Sequence, residues 1–231
     1  MHYVISDVHN DAGRLNRILQ TIKFDKNTDH LFVLGDLFDR SGYAPQPLGV
    51  YNTIQSLQDS CTVLRGNHDE WLADYIMKYL DTPDNKRSKL PPYEYNTFGL
   101  IQDRLTEVDL KELASWIKSL PLQIEVVIND EKYLFAHAQT ANPSEIREDN
   151  HYLMGDVGFT FLKNGIPGCI SVCGHHTTDS IRLWYGEEYR PKKQEIWYNP
   201  KKNVYEIDCG CGFSNGRLGC LRLEDKKGFY E

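Results

Sequence analysis

Asp7, His9, Asp36, Asn67, His137 and His175 each follow closely on a short apolar run. Their carboxylate, imidazole and amide groups are the donors that hard and borderline divalent ions favour. Hydrolysing a phosphate ester requires charge neutralisation on the phosphoryl oxygens, a nucleophile at neutral pH and a proton for the leaving oxygen. Two divalent ions ~3.5–4 Å apart supply the first two, because they clamp the oxygens and lower the pKa of a shared water. A lone Asp-x-His such as Asp7-Val8-His9 is weak evidence, since a histidine after a strand is more often an ordinary polar residue. For that plain reading to stand here, five strand ends would all have to carry coincidental turn residues.

Short strands and helices must bring these residues together. Tyr3-Val4-Ile5-Ser6, Leu31-Phe32-Val33-Leu34 and Thr62-Val63-Leu64 read as strands separated by helical patterns. Leu15, Ile18, Leu19 and Ile22 recur at i, i+3, i+4 and i+7, one face of a helix, and Val50, Ile54 and Leu57 mark another. The alternation predicts βαβ units and a mostly parallel sheet. Its strands run into the polar clusters Asp7 to Asn10, Gly35 to Arg40 and Arg65 to Asp69, at the ends where open α/β sheets bind ligands. Residues 71–120 are predicted helical around Trp71 to Tyr79 and Leu110 to Ile117, interrupted by a charged, proline-containing stretch from Asp81 to Pro92. They read as a cap-like insertion beside the site. Downstream, strands are expected at 122–128, 133–136, 170–173, 181–184, 204–207 and 218–223, two of them ending at His137 and at His175-His176. The whole, residues 1–231, reads as one domain.

Lys+Arg 26 against Asp+Glu 33 gives a formal charge of -7, so no basic field invites nucleic acid and phosphate recognition must be local. No apolar stretch approaches the ~20 residues needed to span a bilayer, and the N-terminus lacks the basic-then-apolar order of a signal peptide. No membrane partner and a cytoplasmic setting are expected. Cys61, Cys169, Cys173, Cys209, Cys211 and Cys220 read as reduced thiols in a chain large enough to need no staples, and Cys209-Gly210-Cys211, without a second Cys/His pair at ligand spacing, does not read as a zinc site.

In this order, Ser6-Asp7-Val8-His9-Asn10, Gly35-Asp36-Leu37-Phe38-Asp39-Arg40, Arg65-Gly66-Asn67-His68-Asp69, His137-Ala138 and Gly174-His175 resemble the calcineurin-like metallophosphoesterases. Among these they resemble the phosphoprotein phosphatase branch, which includes bacterial serine/threonine phosphatases and symmetrical diadenosine tetraphosphate hydrolases. The resemblance covers nearly the whole chain and implies a four-layer α/β/β/α sandwich with a helical insertion. It implies Asp7, His9 and Asp36 on a first metal, with Asp36 bridging to a second held by Asn67, His137 and His175. His68 would be the general acid, oriented by Asp39, and Arg40 and Arg65 would bind the phosphate oxygens. The two divalent ions would be manganese first, with iron, zinc or magnesium accepting the same donors. The nucleophile would be a metal-bridging hydroxide. The implied activity is that of a serine/threonine protein phosphatase acting on phosphorylated protein or peptide. The alternative is a dinucleoside polyphosphate hydrolase or another small-molecule phosphatase. More remote is a non-catalytic binding scaffold of the same fold, for which eroded ligand positions would be expected.

Some positions depart from the branch's pattern. Asn10 replaces its usual Gly and Asp69 its frequent Glu, and neither is a ligand position. His175 follows Gly174 directly, as the family's ligand does, with His176 as the alternative. Thr177 stands where other branches place a further histidine, which points away from nucleases. Asp156 occupies the place of a further phosphate-binding Arg, for which Arg147 is the candidate substitute.

Overall fold

The computed structural model describes residues 1–41, 44–156, 160–187 and 194–231, the side chains of 160 and 161 excepted. The first third alternates as its periodicity predicts: β1 (His2–Ile5), α1 (Ala12–Thr21), β2 (His30–Val33), α2 (Pro47–Leu57) and β3 (Cys61–Val63). Then come α3 (Asn67–Asp81), α4 (Asp84–Arg87), α5 (Thr97–Ile101), α6 (Glu107–Ser119), β4 (Gln123–Ile128) and β5 (Glu131–Ala136). The remainder is α7 (Asp149–Met154), α8 (Thr160–Asn164), β6 (Ile170–Cys173), α9 (Thr178–Trp184), β7 (Trp197–Asn199), β8 (Val204–Glu206), β9 (Gly219–Arg222) and β10 (Lys227–Tyr230). Two mixed five-stranded sheets result, ordered β10-β9-β1-β2-β3 and β4-β5-β6-β8-β7.

The period-two alternation of strand side chains explains the layering. Tyr3 and Ile5 of β1 and Leu31 and Val33 of β2 face a core built with α1, α2, α3, α5 and α6. Their neighbours Val4 and Phe32 face the other way, into a second core with Tyr133 and Phe135 of β5, Val172 of β6 and Tyr205 of β8. On the far side of the second sheet, Cys173 and Val204 pack with Ile181 of α9. The order is therefore helix, sheet, sheet, helix. Leu72 and Ile76 of α3 and Leu113 and Ile117 of α6 join the same core as α1. These helices thus cover the first sheet, and the stretch from α4 to the start of α5 turns back to the strand ends.

One predicted strand is a helix. Ile181-Arg182-Leu183-Trp184 alternates apolar and polar residues, but it forms the end of α9. Thr178, Asp179 and Ile181 are buried, while Leu183 and Trp184 stay exposed. A four-residue alternation is too short to separate period two from period 3.6.

Candidate functional site

β1 and β2 are parallel and in register, and their loops stay hydrogen-bonded beyond the last paired residues. The N–H groups of Asp7, His9 and Asn10 donate to the carbonyls of Gly35, Asp36 and Leu37 at 3.0, 3.0 and 2.9 Å. Asp7, His9, Asp36, Asp39, Arg40 and His175 all have φ between 48° and 69°. That left-handed conformation costs a non-glycine residue ~1–3 kcal/mol and persists only where surrounding structure imposes it. Here the interlocked loops after β1 and β2 impose it on Asp7, His9 and Asp36, whose donor atoms meet. The loops approach so closely that a Cβ on Gly66 would lie 2.2 Å from Asp36 Oδ1, and one on Gly174 2.0 Å from Ser6 Oγ.

Asp69 staples two of these loops. Its carboxylate accepts the backbone N–H groups of Asp36, Leu37 and Gly66 at 2.8, 2.9 and 2.9 Å. Burial and the neighbouring Asp36 carboxylate push its pKa up to about 7, against the pull of these donors. Asp69→Ala would leave three buried N–H groups unpaired, at ~1–3 kcal/mol each. Chemical denaturation should show a loss of at least ~3 kcal/mol, with Asp69→Asn losing less. A wild-type denaturation midpoint for Asp69→Ala would remove the staple role.

Two groups of donor residues meet at these loops. Asp7, His9 and Asp36 form one and Asp36, His137 and His175 the other, each residue offering an atom within 4.8 Å of its partners'. Asp36 Oδ2 lies 3.4 Å from His137 Nε2 and 3.9 Å from His9 Nε2, and Asp7 Oδ1 lies 3.7 Å from His9 Nε2. Asn67 Oδ1 stands 2.9 Å from both His137 Nε2 and His175 Nδ1, so it belongs with the second group. The outer ring nitrogens are occupied: His9 Nδ1 donates to the Phe38 carbonyl at 3.0 Å and His137 Nδ1 to the Leu34 carbonyl at 2.7 Å. Both rings therefore turn Nε2 toward the donor groups, the nitrogen that would bind a cation once it is free of its proton or of Arg40.

The electrostatics call for positive charge between these donors. Burial pushes the pKa values of His9 and His175 down, which keeps both imidazoles neutral. Burial acts the same way on His137, but the Asp36 carboxylate outweighs it and raises His137 to about 10. Despite its own burial, Asp36 is held below the usual carboxylate range by His137. Asp7 Oδ1 is buried with no hydrogen-bond partner, a costly state for a carboxylate oxygen unless a cation satisfies it. The donor set and this orphaned oxygen fit divalent ions, one for each group.

His68 stands over the shared carboxylate. Its backbone N–H donates to Asp36 Oδ1 at 2.9 Å, and its ring lies 5.2 Å from that of His9. His68 Nδ1 is 3.1 Å from Asp39 Oδ2, while Nε2 is buried without a partner. Asp39 is clamped in turn, by the Tyr93 hydroxyl on Oδ2 at 2.6 Å and the Thr97 N–H on Oδ1 at 3.3 Å. Asn10 Nδ2 donates to Thr97 Oγ1 at 2.9 Å and so ties the first loop to the same clamp. Asp69 has a signature in the Gly66-x-x-Asp69 spacing of a helix start. Tyr93 and Thr97 carry no sequence signal.

The cations are placed differently. Arg40 Nη1 lies 3.1 Å from His9 Nε2, with its guanidinium over the Phe213 ring. Arg65 is engaged by Glu70 at 3.1 Å and Asp149 at 3.5 Å. Arg147 is exposed and pairs with Glu145, two residues away. Asp156 donates its backbone N–H to Gln139 Oε1 at 2.7 Å.

Comparison with known proteins supplies a family and a fold. A family model described as calcineurin-like phosphoesterase matches residues 3–207. A symmetrical bis(5'-nucleosyl)-tetraphosphatase of Psychromonas ingrahamii is 31% identical over 282 residues, covering 98% of this chain and 95% of that protein. A crystal structure of a protein provisionally assigned as a diadenosine tetraphosphatase superposes with a TM-score of 0.66 at 18% identity, over 100% of this chain and 92% of that one. A protein serine/threonine phosphatase from Saccharomyces cerevisiae with similarity to human phosphatase PP5 gives 0.59 at 15% identity, over 100% and 78%. At these identities the structural likenesses speak for the fold. With the family model spanning most of the sequence, the chain belongs to the calcineurin-like phosphoesterases.

Proposed function

We propose that this chain is a metal-dependent hydrolase of dinucleoside polyphosphates, which cleaves the central phosphoanhydride of a substrate such as diadenosine tetraphosphate. The observation that carries the reaction is Asp36, whose carboxylate lies in both donor groups with His68 beside it. The near end-to-end likeness to a tetraphosphatase favours the dinucleotide over the phosphopeptide that the sequence motifs alone put first. The surface pairing of Arg147 with Glu145 supports the same choice, because it holds the candidate substitute for the arginine that Asp156 replaces on an exposed carboxylate.

In this reading Asp7, His9 and Asp36 hold one ion, and Asp36, Asn67, His137 and His175 hold the other. Manganese is the first candidate, and iron, zinc and magnesium suit the same donors. Bound divalent ions supply charge neutralisation at the phosphoryl oxygens and acidify a water. His68 turns Nε2 toward the departing oxygen as a donor that an alkoxide leaving group needs and a phosphate needs far less, and Asp39 fixes the ring through Nδ1. Arg40 would bind phosphoryl oxygens from beside His9, and Arg65 would do so by exchanging its Glu70 and Asp149 partners for them. The oxygen of water bonds to phosphorus as the bridging P–O bond breaks, so symmetrical cleavage of a tetraphosphate yields two nucleoside diphosphates. A cytoplasmic setting suits the six free cysteines, and no helix among the described residues is long and apolar enough to cross a membrane.

With manganese added, diadenosine tetraphosphate should give ADP as its adenine product, faster than the chain releases phosphate from a phosphoserine peptide. Faster peptide turnover would sink the dinucleotide reading, and ATP with AMP as products would sink the symmetrical cut.

A further inference from the structure

A cavity of about 390 Å³ opens next to His68, lined by Trp71, Tyr75, Pro91, Pro92, Tyr93 and Tyr95. Its size falls within the ~300–1,000 Å³ of small-ligand sites. None of these residues belongs to the metal-donor groups. The Trp71 and Tyr95 rings are parallel to within 2°, and both meet the His68 ring at steep angles, with centroids 4.9 and 4.4 Å from it. Trp71 is 36% exposed. A large planar ring is thus left open on the cavity side of α3, one turn after the α3 residue that faces His137 and His175.

The charged members of the lining are Asp74, Lys78 and Glu94. With Asp74 paired to Lys118 and Glu94 standing against Lys78, these groups leave no surplus of positive charge for phosphate. They suit a neutral, flat group that carries N–H donors on its edge. A nucleobase has that chemistry: its faces stack on aromatic rings whatever the base, and its exocyclic amine can donate to a carboxylate.

We infer that the Trp71–Tyr95 cavity is a nucleobase subsite, and that it takes the base of the departing nucleotide, because it adjoins the side chain that holds the proton for the leaving oxygen. The inference rests on the dinucleoside reading above. Base stacking sets affinity here and discriminates little between bases, while the phosphates stay at the donor groups. The Tyr93 hydroxyl, bonded to Asp39 Oδ2, joins the wall of this cavity to the residue that orients His68.

The test compares inhibition by ADP and by inorganic pyrophosphate in the manganese-loaded wild type, Trp71→Ala and Trp71→Phe, with 4-nitrophenyl phosphate as reporter. Trp71→Ala should weaken ADP about tenfold, as loss of one stacking ring does. Trp71→Phe should recover most of that, and pyrophosphate should stay within about twofold throughout, since it has no base to stack. Equal weakening of both inhibitors would make Trp71 a support of the His68 ring, and unchanged ADP inhibition would deny the cavity a base. Either result overturns the subsite. Preference of the wild type for a phosphopeptide would sink the dinucleoside reading separately, because ADP inhibition is measured without that substrate.

Discussion

Replacing His68 with Asn is expected to lower kcat on a phosphoserine peptide by ~10²–10³-fold, but on 4-nitrophenyl phosphate by less than ~10-fold. A serine alkoxide is too basic to leave without a proton, whereas nitrophenolate leaves as the anion. The geometry singles out Nε2 as the proton carrier: Nδ1 is committed to Asp39, and Nε2 is buried with no partner. The proposed substrate adds a sharper expectation. Its leaving group is a phosphate, whose second pKa is near ~6, so diadenosine tetraphosphate should follow the nitrophenyl ester and not the peptide. Equal losses on all three substrates would remove His68 from proton transfer and leave it a structural part.

Asp36→Asn should be the most damaging single change, with a loss on the order of 10³-fold or more on every substrate whatever its leaving group. One carboxylate serves both donor groups, so its charge is missed twice. An asparagine can still accept the His68 N–H that Oδ1 now receives at 2.9 Å, so the change isolates charge from architecture. Metal analysis after gel filtration should find manganese lost from both positions. Asp7→Asn, confined to the first group, should keep the second ion. Wild-type metal content in Asp36→Asn would break the assignment of Asp36 as the shared ligand.

Much of the scaffold was legible before any coordinates. Leu15, Ile18 and Leu19 announce α1 because a helix buries one stripe. Val4 and Phe32 sit in continuous apolar runs because their sheet is covered on both faces. The segment from 71 to 120 shows the limit of that reading. Its periodicity marks helices but not their partners, and it does not show that Leu72, Ile76, Leu113 and Ile117 join the core of α1 and the first sheet. Ile181 to Trp184 failed for a related reason, since four residues cannot distinguish a strand from the last turn of a helix.

By itself, the sequence determined which residue types stand after which apolar runs, and that sufficed to nominate Asp7, His9, Asp36, Asn67, His137 and His175 as metal donors and His68 as their neighbour. Local chemistry and strand-end position are written in consecutive residues, so a one-dimensional reading reaches them. Only the tertiary structure decided that Asp36 lies in two groups and that Asn67 Oδ1 faces two rings at once. It alone placed Tyr93 and Thr97, 54 and 58 residues away in the chain, on the carboxylate of Asp39. Those relations come from the closure of two sheets and a returning loop, and contacts of that sequence separation leave no spacing in the chain to be read.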